Sequence, residues 1–334
     1  MRDGWKTDSL YNEKGNIMRN MEEKVLQAML CMTRQCWEQG IAAQALMECG
    51  HEELYKLAVY DMVLRQSSDG RLCNVENTPA VTDSAFCIPA VLEAGRKYCC
   101  GEYKTAAEKN IRFLLEDAEH ALDHTLFHMI HTQEIWADSA AFLPYSLALA
   151  GHWREAWTQM EGICSRLYHK ESGLYYHMWD EGRKEYLRPL AWGVGNGWIL
   201  TGLLRTLLVW NEELREEKIR MAARFHELLD NMLAMETKEH GFHDILDDDS
   251  TFQESETAAM VAYAIYRGVS EGMVDTHYLE RADRIREALL EKVTSQGLVQ
   301  DAASSPGFDR PGTSVECQAH VLMMEKCYKN VRNS

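Results

Sequence analysis

The sequence predicts an all-α fold, a closed toroid of helical hairpins, on three observations. Apolar residues recur at helical spacing in segment after segment, and glycine stands just past many of these segments. Six prolines in 334 residues, against abundant Ala, Leu, Met and Glu, favour helices over strands. The repeating units vary from roughly 30 to 60 residues, with aromatic and Gly-rich inserts falling on one side. That irregularity suits a ring with a built-up rim better than an open solenoid of fixed repeat.

Taken in order, Met21–Cys49 is an apolar helical run ending at Gly50, followed by His51–Leu64 and the polar loop Gln66–Gly70. Ser84–Ala94 closes at Gly95. Tyr103–Ala121 is amphipathic, with Lys and Glu on its outer face. Ala140–Ala150 closes at Gly151, and His152–Leu167 follows at once. Gly197–Trp210, Glu213–Glu236, Glu254–Gly268, Asp275–Val293 and Ser314–Val331 complete the series. Longer, more apolar helices alternate with charged ones, about eleven or twelve in all. No linker or low-complexity tract divides them, so residues 1–334 read as a single domain with an N-terminal extension over residues 1–20.

A formal net charge of −17 argues against nucleic acid or an anionic membrane surface as partner. The start lacks an apolar signal region, and no run of about 18 apolar residues occurs, which points to a cytoplasmic protein. Ten cysteines without a CxxC pair read as free thiols of a reducing compartment. No metal and no cofactor is expected. The His128-Met129-Ile130-His131 spacing lacks an acidic partner, and the loop Asp244–Ser250 lacks the glycine and terminal Glu of a calcium loop. That loop with Glu254 reads instead as a solvated turn and a helix cap.

The chemistry is concentrated in two phrases that echo each other, Thr82-Asp83-Ser84-Ala85-Phe86 and Ala137-Asp138-Ser139-Ala140-Ala141-Phe142. In each, a proline stands six residues past the acid, at Pro89 and Pro144. One such Asp is most simply a helix cap. Two in matching contexts suggest a carboxylate pair at one end of the ring, the minimum equipment for acid/base work on a glycoside. Trp37, followed by Glu38-Gln39-Gly40, suits a sugar-stacking platform. His128 and His131 approach Asp138 along the chain, while His124 reads as a surface residue. The aromatic segment Gly173–Asp180, with His177 and Trp179, alternates like a strand. Leu190–Trp198, with Trp192, Asn196 and Trp198, reads as its partner and as a glycine turn that brings backbone close to a ligand.

Taken together, these segments resemble the unsaturated rhamnogalacturonyl and glucuronyl hydrolase family. The resemblance spans about Glu23 to Lys329. It is carried by Trp37-Glu38-Gln39-Gly40, Thr82-Asp83-Ser84, Trp136-Ala137-Asp138, Gly173–Asp180, Trp192–Trp198, and Leu246-Asp247-Asp248 followed by Glu254. It implies an (α/α)6 barrel and a small oligosaccharide substrate with a 4,5-unsaturated uronic acid at its non-reducing end. It further implies Asp138 as general acid/base and Asp83 as the assisting carboxylate that keeps Asp138 protonated. His177, Trp192, Trp198 and one of His128 or His131 become pocket residues. Val194 stands where the family commonly has Arg, leaving Arg188, Arg183 or the histidines to hold the uronate. Two other functions fit a toroid: a sugar epimerase or isomerase, and a non-catalytic carbohydrate-binding protein.

Overall fold

The computed structural model describes residues 20–74, 78–304 and 307–333. The N-terminal extension expected over residues 1–20 lies, up to residue 19, outside the described residues. Among the described residues there are twelve α-helices. The first, α1, covers residues 20–32. Then come α2 (Cys36–Cys49), α3 (Glu52–Leu64), α4 (Ile88–Lys97), α5 (Gly101–Arg112) and α6 (Leu143–Leu149). The second half holds α7 (Trp153–Leu167), α8 (Gly193–Leu208), α9 (Arg215–Ala234), α10 (Ser255–Ser270), α11 (Leu279–Leu290) and α12 (Val315–Asn333).

The even-numbered helices touch in succession from α2 to α12, and α12 returns to α2, so the ring is closed. Each odd-numbered helix lies outside an even one; α1 runs along α12, where Gln318 Nε2 donates to the Val25 carbonyl at 3.0 Å. Sequence explains the two layers. In α8 every residue from Gly193 to Leu207 is buried, as an inner helix with neighbours all round requires. In α9 only Met221, Phe225, Leu228, Leu229, Met232 and Leu233 are buried, a single stripe at helical spacing. The result is the (α/α)6 barrel.

Two expectations fail for identifiable reasons. The run Met21–Cys49 is broken at residues 33–35. There the Glu38 carboxylate folds back to accept the amides of Arg34 at 2.6 Å and Gln35 at 2.8 Å, and a new helix starts. The glycine-rich segment before Trp198 is the first turn of α8 rather than a loop. A Cβ on Gly197 would stand 2.3 Å from Met260 Sδ, and one on Gly195 3.2 Å from Ala137 Cβ. Those glycines seat α8 against its neighbours.

Among the described residues, nine short strands decorate the end of the barrel at which the inner helices begin. They are β1 (Glu134–Trp136), β2 (Tyr168–His169), β3 (Leu174–Tyr175), β4 (Met178–Asp180), β5 (Glu185–Arg188), β6 (Phe242–His243), β7 (Gln253–Glu254), β8 (Ala302–Ser304) and β9 (Gly307–Gly312). The aromatic segment does form strands, but β4 pairs with β1 and β5, not with the stretch before Trp198. All ten cysteines are free thiols. No helix among the described residues is long and apolar enough to cross a membrane.

Candidate active site

The second residue of an inner helix faces the open end of the ring. Trp37, Val194, Glu256 and Glu316 hold that position in α2, α8, α10 and α12, and all four line one cavity of about 510 Å³. In α4 and α6 the second residue is Pro89 or Pro144, where the missing N–H costs no helical hydrogen bond. A short 3-10 helix precedes each: Asp83–Phe86 and Ala137–Ala140. These bring Asp83 and Asp138 to the same cavity. The echo in the sequence is therefore one structural unit used twice. Both 3-10 helices rest on a glycine of a neighbouring inner helix. A Cβ on Gly40 would stand 2.4 Å from Phe86 Cβ, and one on Gly202 1.9 Å from the Ala140 carbonyl oxygen.

Aromatic rings supply the walls: Trp37, Phe86, Trp136, Trp192, Trp198 and Phe308. Such surfaces match the C–H faces of a sugar ring, and a few polar groups among them set its orientation.

Behind Asp138 the sheet lays out a relay. The register pairs Trp136 with Met178 and Met178 with Arg188. One step on, the Ala137 amide donates to the His177 carbonyl at 2.9 Å and the His177 amide to the Arg188 carbonyl at 3.3 Å. Side chains follow the backbone. Arg188 Nη1 lies 2.7 Å from His177 Nδ1, and His177 Nε2 lies 2.9 Å from Asp138 Oδ2. A guanidinium only donates, so Nδ1 accepts; the imidazole proton is then on Nε2, which donates to Asp138. His177 also packs on Trp192 at 4.3 Å, whose Nε1 donates to Asp244 at 3.0 Å.

His128 joins the two acid-bearing phrases. Its Nδ1 meets Thr82 Oγ1 at 2.8 Å and Ser139 Oγ at 3.0 Å, the residues next to Asp83 and Asp138 respectively. Its Nε2 is 3.7 Å from Asp83 Oδ1, and its ring stacks on Trp136 at 4.2 Å. Burial drives its pKa down to about 4, against the pull of Asp138, so it is neutral at pH 7.

The carboxyls divide unequally. Burial, then Asp138 and Glu316, push Asp83 up to about 7. Asp138 is also pushed up by burial, but the proximity of His177, its hydrogen bond, and His128 bring it below the usual range. The two acids thus differ in direction, Asp83 held high and Asp138 held low. Burial likewise raises Glu316 to about 7, although it accepts from Trp37 Nε1 at 2.7 Å. Glu256, raised by burial and by Glu316 and Glu254, accepts from Ser314 Oγ at 2.8 Å.

The sequence pattern of Glycosyl Hydrolase Family 88 matches residues 11–310. The chain belongs to that family. The unsaturated rhamnogalacturonyl hydrolase YesR of Bacillus subtilis (strain 168) is 24% identical over 209 residues, which are 59% of this chain and 58% of YesR. The match thus spans less than two thirds of that curated relative. In structure, the chain is similar to a possible member of the GH105 family from Salmonella enterica serovar Paratyphi A. The TM-score is 0.82 at 15% identity, over 94% of this chain and 93% of that one. It is also similar to the unsaturated glucuronyl hydrolase of Bacillus sp. GL1, with TM-score 0.61 at 15% identity over 89% and 86% of the two chains.

Within this family 88 barrel, the cavity brings together Asp83, Asp138, Trp37, His128, Trp192 and Trp198 of the expected set. His177 and Arg188 stand behind Asp138 rather than in the wall. His131 is exposed beside Glu119, because the chain turns at His131 (φ 61°) and sends it away from His128. Trp179 donates to Glu181 at 2.8 Å outside the cavity. Asn196 is a backbone clasp: its amide accepts from the Tyr175 N–H at 2.8 Å and donates to the Tyr175 and Trp192 carbonyls at 2.9 Å. Arg183 is exposed at the β4–β5 turn, 3.6 Å from Asp180. Trp136, Glu256, Glu316 and Phe308 were not among the expected site residues. Aligning the starts of the inner helices on Trp37 would have found the two glutamates. Among the described residues no group of three or more His, Cys, Asp or Glu is arranged to hold a metal ion.

Proposed function

We propose that this family 88 chain, acting as one catalytic domain, removes a 4,5-unsaturated uronic acid from the non-reducing end of short oligosaccharides by hydrating the double bond. The observation that carries this reading is the Asp83/Asp138 pair: two carboxyls on one aromatic-walled cavity, one held high by burial and the other held low beside His177. The C4=C5 bond of such a sugar is a vinyl ether. The pair gives its proton to C4, and positive charge develops over C5 and the ring oxygen. Water adds at C5 and returns a proton to the now dianionic pair, so the catalyst is restored. The hemiketal opens to a ketone at C5. The hemiacetal left at C1 expels the neighbouring sugar as an alcohol and becomes an aldehyde. One water is consumed and no bond at C1 is displaced directly.

The names of YesR and of the Bacillus sp. GL1 hydrolase agree with this chemistry. Ten unpaired thiols support a reducing compartment, the cytoplasm. The test is incubation with unsaturated disaccharides while following loss of the ultraviolet absorbance of the double bond. Asp138→Asn should retain its fold and lose turnover by about 10²–10⁴-fold. Full activity in Asp138→Asn, or interconversion of sugars without release of a second one, would overturn the reading.

A further inference from the structure

We propose that Glu316 is a substrate-binding acid: anchored by Trp37, its carboxyl donates a hydrogen bond from Oε2 to the C6 carboxylate of the unsaturated sugar. The inference deepens the hydrolase reading above and rests on it.

Geometry singles out Glu316 among the four acids of the wall. Asp83 and Asp138 are committed to the double bond. Glu256 is 1% exposed and its Oε2 already accepts from Ser314, so it backs the wall. Glu316 is only half-buried, and it lines the cavity. Its Oε1 accepts from Trp37 Nε1 at 2.7 Å. In a neutral carboxyl the oxygen that accepts an N–H is the carbonyl oxygen, which puts the hydroxyl on Oε2.

The sugar brings its carboxylate to the same place. In a 4,5-unsaturated uronic acid the carboxylate is conjugated with C4=C5 and lies in the plane of the ring atoms around it. A ring stacked on the face of Trp37 therefore projects the carboxylate past the edge of the indole. Nε1 is on that edge, and Glu316 is its partner.

The surroundings keep the proton on Glu316. Glu38 faces it from α2, Asp83 and Asp138 from the two 3-10 helices, and Glu256 from α10. One turn along α12, His320 donates Nδ1 to the Glu316 carbonyl at 2.9 Å, and burial pushes its pKa down to about 3, so it is neutral. Burial with acids for neighbours favours the uncharged carboxyl, and an arriving carboxylate adds to that bias. A bond from a neutral acid to a carboxylate is charge-assisted and strong.

The experiment measures Kd by calorimetry in an Asp138→Asn background, which stops turnover, for one unsaturated disaccharide as free acid and as C6 carboxamide. The free acid is ionised at both pH 5.5 and pH 9. At pH 5.5 it should bind about tenfold more tightly than the amide. At pH 9 the ionised Glu316 repels the carboxylate and accepts from the amide, so the preference should reverse by about the same factor. Glu316→Gln keeps an acceptor for Trp37 and a neutral donor for the sugar. In that variant the swing of about a hundredfold between the two pH values should fall to about tenfold or less. A larger swing in Glu316→Gln, or no swing while Glu316 is in place, would overturn the assignment. Turnover of the free acid by the unaltered protein would then leave the hydrolase reading standing. Absence of that turnover would overturn both.

Discussion

Arg188 donates to Nδ1 of His177 at 2.7 Å, and this bond decides what His177 can offer Asp138. With Nδ1 occupied, the only imidazole proton points at Asp138 Oδ2. Arg188→Met frees Nδ1, so the imidazole proton is no longer confined to Nε2. We expect kcat to fall on the order of tenfold with little change in KM. Nitrogen NMR of His177 should show a mixture of tautomers. A merely structural loss would lower the active fraction and leave the single tautomer in place.

The shared proton predicts a bell-shaped pH dependence of kcat/KM. Asp83 releases its proton near pH 7, so activity should fall about tenfold per unit as pH rises beyond that point. The acid limb should lie below the usual carboxylate range, where Asp138 takes up a second proton. Measuring the profile on a fast substrate tests both limbs. A flat profile from pH 6 to 9 would contradict the assignment of the proton to this pair.

Asp83 also costs stability at neutral pH. Its folded pKa, about 7, exceeds the unfolded value near 3.8, so the folded state binds more protons between the two. The contribution of Asp83 is therefore most favourable below about pH 4, declines as pH rises to about 7, and is flat above. Asp83→Asn keeps the shape and removes the penalty. Its melting temperature at pH 8 should exceed that of the parent, by a free energy on the order of 1–3 kcal/mol, while turnover is lost. Thermal melts at pH 5 and pH 8 check the sign: the gain should shrink at the lower pH.

Gly202→Ala should damage both stability and activity. Its Cβ would lie 1.9 Å from the Ala140 carbonyl oxygen, at the end of the 3-10 helix that carries Asp138. Backbone there cannot swing aside like a side chain, so we expect a loss of about 1–3 kcal/mol by chemical denaturation. The displaced Asp138 should also lower kcat in the protein that remains folded.

The helices were legible because an inner or outer helix advertises its burial in apolar spacing, as α8 and α9 do. The break before Trp37 was not, because it depends on a carboxylate folding back onto two amides, and Glu38 carries no periodic signal. Asp83 and Asp138 were legible because identical local geometry demanded similar local sequence, including the proline that starts each following helix. Glu256 and Glu316 had no such echo; each looks like an ordinary acidic residue in a first turn. His128 and His131 could not be separated by spacing, since one backbone turn sends them to different surroundings. The hydrogen bond from His177 to Asp138 was hidden for a similar reason: the two lie 39 residues apart and meet only through the pairing of β1 with β4.

Trp37 and Glu316 meet across 279 residues of chain, joining the first inner helix to the last. As the polypeptide leaves the ribosome, the segments bearing Asp83 and Asp138 emerge long before α12. Their contacts with α2, α6 and α8 can form while the wall that holds Glu316 is still unmade. The acids are thus present as an open half-site, and a sugar can be enclosed only when the ring closes. Closure by so distant a contact is entropically slow. Activity should accordingly appear as the final event of folding, well after helical content has reached its native level.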